Sequence, residues 1–198
     1  MIVADPPWKY LWGDGGMKCP ERHYNTLTPD ELCALPVKRL RAQNCALALW
    51  ATGPCLPDAM RIMESWGFKY KTILFVWVKQ NRIAKTIVTG CGSYTRSACE
   101  LVLLGMRGHV KRETNEAISQ VILSPRGGHS QKPEIMQDLL MRIFPGGPYL
   151  ELFARRKRHG WDVFGNQVEC DLFSDAQPTG HNSQMNHQVD TADKGEGK

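Results

Sequence analysis

Seven short apolar or β-branched runs recur along this chain, and the stretches between them carry helical spacing. Such alternation is the pattern of an α/β sheet, in which crossover helices bury the faces of successive strands. The runs place strands at Met1 to Ala4, Cys45 to Thr52, Thr72 to Lys79, Ala98 to Gly105, Ser119 to Leu123, Tyr149 to Ala154 and Trp161 to Gly165. Helices are predicted over Pro29 to Leu35, with Thr28 as N-cap and Pro29 at N1, over Leu56 to Trp66, stopped by Gly67, and over Pro133 to Phe144, stopped by Pro145-Gly146-Gly147. Two long irregular segments, Lys9 to Leu27 and Gln80 to Ser97, are candidates for lids.

A length of 198 residues is that of one α/β domain. The composition excludes several classes. No stretch approaches the roughly 20 apolar residues of a membrane span, and no basic and apolar leader opens the chain, so a cytoplasmic protein is expected. The seven cysteines are scattered, without a C-x-x-C pair, which speaks for reduced thiols and against a zinc knuckle. No metal site is expected. From about Ser174 onward the sequence is polar and poor in large apolar residues, so a folded unit over residues 1–170 and a disordered, acidic-leaning tail over 171–198 are expected.

The formal charge of +5 is unevenly spread, because residues 171–198 hold five acids and two lysines. The folded part is therefore basic. Its cations cluster at Lys38-Arg39-Arg41, at Arg107-His109-Lys111-Arg112 and at Arg155 to Arg158, a pattern suited to a polyanion.

Three segments can carry chemistry. In Asp5-Pro6-Pro7-Trp8 the prolines fix φ and lack N–H groups, so a corner forms at the carboxyl end of the first strand, where open α/β sheets bind ligands. The Asp5 carboxylate, a free proline carbonyl and the Trp8 ring make a cup of acceptors with a stacking wall. It suits a planar base carrying an exocyclic amine, whose protons the carboxylate and carbonyl would accept, restoring lone-pair density on a poor nucleophile. The alternative is a tight turn with a packed tryptophan. In Gly127 to Met136, Lys132 precedes a helix start and offers a seat for a carboxylate or phosphate, or is a solvent lysine. In Tyr149 to Gln167, Glu151 lies in an apolar strand and Asn166-Gln167 end the next one, groups suited to a nucleoside-like ligand. Neither G-x-G-x-x-G nor a P-loop occurs.

Read in order, "DPPW", "YNTLTPDELCALPV", "LALWATG", "WGF", "FVWVK", "ELVLLGMRG", "HSQKP", "LELFARR" and "WDVFGNQ" resemble the MT-A-seventy family of S-adenosylmethionine-dependent adenine-N6 methyltransferases over residues 2 to 170. The resemblance implies a Rossmann-like methyltransferase fold, a mostly parallel twisted sheet flanked by helices, with the catalytic motif preceding the cofactor-binding strand. It implies that Asp5, Pro6, Pro7 and Trp8 form the catalytic corner. Asp5, Lys132, Glu151, Phe153, Arg155, Asn166 and Gln167 would bind S-adenosylmethionine, and Trp8, Tyr10, Glu100 and His129 would meet the target base. The short chain is similar to the bacterial and phage forms, which implies DNA as substrate ahead of RNA, with a homodimer left open. A partner subunit without activity is the reading from another class; the intact Asp5 corner with Lys132, Asn166 and Gln167 argues against it.

Overall fold

The computed structural model describes residues 1–9, 26–90, 94–128 and 130–168. Seven strands form one sheet: β1 (Ile2–Ala4), β2 (Cys45–Ala51), β3 (Lys69–Gln80), β4 (Cys99–Arg107), β5 (Val121–Pro125), β6 (Leu150–Leu152) and β7 (Asp162–Phe164). Their order is β5-β3-β4-β2-β1-β6-β7. The pairs β1·β2, β1·β6, β6·β7 and β3·β5 are parallel, whereas β4 opposes both β2 and β3. Six strands therefore end at one edge of the sheet, the carboxyl edge, and β4 begins there. No helix among the described residues is long and apolar enough to cross a membrane.

Among the described residues three α-helices accompany the sheet: α1 (Pro29–Ala34), α2 (Leu56–Ser65) and α3 (Ile135–Ile143). Helix α1 starts on a capping box: the Thr28 hydroxyl accepts from the Glu31 amide, and the Glu31 carboxylate accepts from the Thr28 amide. Helix α2 ends in a Schellman motif, with Phe68 N–H bonded to the Met63 carbonyl and Gly67 N–H to that of Glu64, while Gly67 takes φ +78°. Helix α3 begins at Ile135, two residues later than Pro133 signals, because the turn before it is closed by Met136 N–H to Pro133 O and Gln137 N–H to Glu134 O.

The central strands β1 and β2 are buried on both faces, as strands covered on both sides must be. In β2, Leu47 and Leu49 join the core beneath α1 and α2, where Leu32, Ile62, Met63 and Trp66 pack, while Ala48 and Trp50 face Met136, Leu140 and Ile143 of α3. The Trp66 indole N–H donates to the Leu32 carbonyl at 2.8 Å and ties α2 to α1.

Some boundaries depart from the sequence reading, and the third strand starts at Lys69, three residues before the expected Thr72. The fifth strand lies at Val121–Pro125, two residues beyond the expected run. The stretch after Lys79 is not wholly irregular: β3 continues to Gln80, and the chain turns back with Asn81 N–H on Thr86 O and Val88 N–H on Lys79 O. The other long segment is tied at its ends, Lys9 N–H donating to Leu27 O and Leu27 N–H to Pro7 O. Its interior, and the expected tail beyond residue 168, lie outside the described residues.

Candidate active site

Strand β1 sits between two parallel neighbours, so Asp5-Pro6-Pro7 leaves the sheet at the carboxyl edge with the ends of β2 and β6 on either side. The Asp5 carboxylate meets Lys132, whose Nζ lies 2.8 Å from Oδ1 and 2.9 Å from Oδ2. The same Nζ is 3.3 Å from Glu100 Oε2, and Glu100 Oε1 is 2.7 Å from Lys79 Nζ. Asp5, Lys132, Glu100 and Lys79 thus form a row of alternating charge across the edge. They come from the ends of β1 and β3, the start of β4 and the loop after β5. Trp50 and Trp77 pack edge to face beneath this row, with Lys132 5.4 Å from the Trp50 ring and Lys79 5.2 Å from the Trp77 ring.

Burial and the opposite charges of the row compete to set the protonation of these groups. It is the largest influence on Asp5 and raises the carboxyl above its ordinary 3.8 even though Lys132 pulls it down. Burial also acts to raise Glu100, but Lys132 and Lys79 together outweigh it and hold that carboxyl below its ordinary 4.5. Lys132 is desolvated too, yet Asp5 and Glu100 raise its ammonium above the usual lysine value. The centre therefore holds a firmly charged lysine, a firmly ionised Glu100 and an Asp5 that takes up a proton more readily than an ordinary aspartate.

Two cavities share Asp5, Pro7 and Arg155. The larger, about 300 Å³, lies where β1, β6 and β7 end and is walled by Phe153, Phe164, Gly165, Asn166 and Gln167. The smaller, about 40 Å³, is a polar cleft between Asp5, Trp8, Trp50, Glu100 and Lys132. Phe153 adopts φ +63° at the larger cavity and Ser130 φ +59° beside Lys132, backbone strain that collects at binding sites. Gly165 is required by contact: a Cβ there would stand 2.1 Å from the Ala154 carbonyl oxygen.

Most of the residues singled out from the sequence converge here: Asp5, Pro6, Pro7, Trp8, Glu100, Lys132, Phe153, Arg155, Asn166 and Gln167 all line one cavity or the other. Glu151 lines neither. It lies in register with Val3 and Val163, and its Oε2 accepts from Gln137 of α3 at 2.9 Å. Desolvation raises its carboxyl despite that bond. The proline carbonyls are not free: Pro6 O accepts from Trp8 N–H and Pro7 O from Leu27 N–H, both at 2.9 Å, because the corner closes on itself and on the returning chain. Trp8 lines the cleft but is only 6% exposed and packs into the core with Leu32, which limits it as a stacking wall. Lys132 lies three residues before α3 and turns to Asp5 and Glu100. Tyr10 and His129 fall outside the described residues. Lys79 and Trp50 were missed, although "FVWVK" and "LALWATG" put both near strand ends.

Residues 1–167 match the family described as MT-A70. The chain is 33% identical over 186 residues to the type II methyltransferase M.MunI of Mycoplasma sp, covering 85% of this chain and 77% of that protein. It is 34% identical over 172 residues to the N(6)-adenosine-methyltransferase MT-A70-like protein of Arabidopsis thaliana and 30% identical over 172 residues to the human N(6)-adenosine-methyltransferase catalytic subunit METTL3. Each of those matches covers 85% of this chain, but only 23% of the plant protein and 28% of the human one. With its motifs in order around one pair of cavities and the family match running from Met1 to Gln167, the chain belongs to the MT-A70 family, the MT-A-seventy methyltransferases.

Proposed function

We propose that this protein transfers the methyl group of S-adenosylmethionine to the N6 amine of adenine in DNA. The observation that carries this reading is the pair of cavities meeting at Asp5: a larger one in the size class of small-molecule sites and a polar cleft beside it. The residues fit the cofactor. Lys132 Nζ carries a positive charge at the corner where Asp5 borders both cavities, which suits a methionine carboxylate. Asn166 and Gln167 offer amides for ribose hydroxyls, and Phe153 and Phe164 offer apolar walls. Bound there, the cofactor supplies an electrophilic methyl group.

The chain's own contribution lies in the cleft. The cleft is small, about 40 Å³, and polar, which suits the exocyclic amino group of an adenine better than its whole ring. Each Asp5 oxygen retains lone-pair capacity beyond its Lys132 contact, and Pro6 O keeps a second lone pair beyond Trp8 N–H. These acceptors take the two N6 protons in different directions and free the nitrogen lone pair toward the methyl group. As the amine turns cationic, Asp5 stabilises it and is suited to receive its surplus proton, since burial has already raised that carboxyl. An adenine in a duplex has to leave the stack to reach this cleft.

DNA is preferred because the relative matched over most of its own length is a type II methyltransferase, whereas the named adenosine methyltransferases are matched over about a quarter of theirs. Those adenosine enzymes favour RNA as the second reading. The test is methyl transfer from labelled S-adenosylmethionine to duplex DNA, single-stranded DNA, RNA and buffer alone, with the nucleoside identified by mass spectrometry. N6-methyladenine in DNA is the expected product; label in RNA alone overturns the substrate assignment, and no label anywhere overturns the activity.

A further inference from the structure

Three basic clusters are visible in the sequence, and the fold sends them to opposite places. The cluster after β6 stands at the carboxyl edge beside the site, but α3 answers much of it: Arg156 pairs with Glu134 and Arg158 with Asp138. The other two meet at the amino edge. Register brings Lys69 opposite Met106, one residue from Arg107, and sets Arg107 opposite Cys45. Lys38 and Arg39 lie in the short 3-10 turn Val37–Arg39, in the segment that leads into β2. Arg41 follows, and its guanidinium packs against Gly67 at the end of α2, where a Cβ would lie 2.7 Å from it. Lys71 lies two residues along β3 from Lys69 and Lys111 four residues beyond Arg107, and both are exposed.

These cations are uncompensated. Among the described residues none of Lys38, Arg39, Lys69, Lys71, Arg107 or Lys111 is ion-paired. Arg41 Nε, Arg41 Nη1 and Arg107 Nε are buried without a hydrogen-bond acceptor among the described residues. The acids of this edge are few: Glu64 at the end of α2 and Glu113 are exposed, and Glu116 is taken by Arg142. Strand β4 measures the separation from the site, since the seven steps from Glu100 to Arg107 span about 23 Å.

We propose that the amino edge is a second nucleic-acid surface, which grips phosphates of the substrate about 20 Å from the adenine corner. The inference rests on the reading that the substrate is a nucleic acid. It assigns to this edge the phosphate contacts expected of the basic cluster at the site, where α3 has already neutralised Arg156 and Arg158. Such contacts add affinity and salt dependence without reading sequence. They also require a substrate long enough to pass from one edge to the other.

The test uses the full chain with Lys38→Gln, Lys69→Gln and Lys111→Gln combined, three exposed side chains outside both cavities. Binding of a 40-base-pair duplex is followed by anisotropy from 50 to 300 mM salt, and methylation of the same duplex is measured at saturating DNA. The expected result is at least a tenfold loss of affinity, with the slope of log affinity against log salt shallower by about 2 to 3, roughly 0.9 per lost phosphate contact. Turnover at saturation and S-adenosylmethionine affinity stay at wild-type values. Unchanged duplex affinity and slope in a variant that still methylates overturn this proposal alone and leave the edge to an acidic protein or to solvent. A wild-type protein that neither binds nor methylates nucleic acid overturns the function and the second surface together. An unchanged thermal midpoint in the variant separates lost contacts from lost fold.

Discussion

At the scale of single residues, Asp5 decides both chemistry and pH response. Its ionised form is disfavoured by burial, so replacing it with an amide removes a desolvation cost while Asn keeps one acceptor for Lys132. Asp5→Asn should therefore abolish methyl transfer and leave stability within about 1 kcal/mol of wild type by denaturant unfolding; measurable turnover in that variant would remove Asp5 from the chemistry. The raised carboxyl also fixes the direction of the acid limb. The folded state holds the Asp5 proton at pH values where the unfolded chain has released it, so activity should fall with acidification at a pH above the ordinary 3.8. Glu100 behaves oppositely: its lowered carboxyl contributes stability that is present above 4.5 and lost as pH falls through the lowered value. Lys79 acts through Glu100. Lys79→Met removes one of the two cations holding that carboxyl down, so the pH at which the Glu100 contribution to stability is lost should rise with cofactor affinity unchanged, and Lys79→Arg should restore it. A pH profile identical to wild type in Lys79→Met would make the ion pair merely structural.

At the scale of elements, the cavity depends on how closely β6 and β7 end. Gly165 lets the chain pass against Ala154, and a Cβ would meet Ala154 O at 2.1 Å and Ala154 N at 2.8 Å, both backbone atoms with nowhere to retreat. Gly165→Ala should part the two strand ends, weaken S-adenosylmethionine binding at least tenfold by calorimetry and cost about 1–3 kcal/mol of stability; an unaltered affinity would place the cofactor elsewhere. The same elements show what local sequence could and could not reveal. Helices α1 and α2 were legible because Thr28 with Pro29 and Gly67 are end signals that act within a few residues. Strand β2 was legible because Leu47, Leu49 and Trp50 feed two cores and leave an unbroken apolar run. The position of β5 was less so: it borders the sheet, leaves Val121 and Leu123 exposed, and has only Ile122 buried to mark its register. Nor could local pattern foresee that the Pro7 carbonyl is already engaged, since its donor is Leu27, twenty residues away.

At the scale of the whole molecule, what the sequence hid is mostly pairing. Nothing within β4 announces that it runs against its neighbours, yet that reversal is what brings Glu100, at its start, to the edge where Asp5 and Lys132 lie, the latter two 127 residues apart. The sheet that results has two unequal ends. Strands β6 and β7 have three residues each and stand at one end, carrying Phe153, Arg155, Asn166 and Gln167 on the turns that follow them. Strand β5 closes the other end, separated from β1 by β3, β4 and β2. Short terminal strands open locally more readily than the centre, and a ligand slows only those openings that destroy its site. Saturating S-adenosylmethionine at about 100 times its Kd adds about 2.7 kcal/mol against such openings. Amide exchange in β6 and β7 should then slow roughly a hundredfold, while Val121 and Ile122 of β5 exchange as before. Equal slowing at both ends would show that the cofactor is felt by the whole sheet, and slowing at β5 alone would move its site away from the cavity beside Asp5.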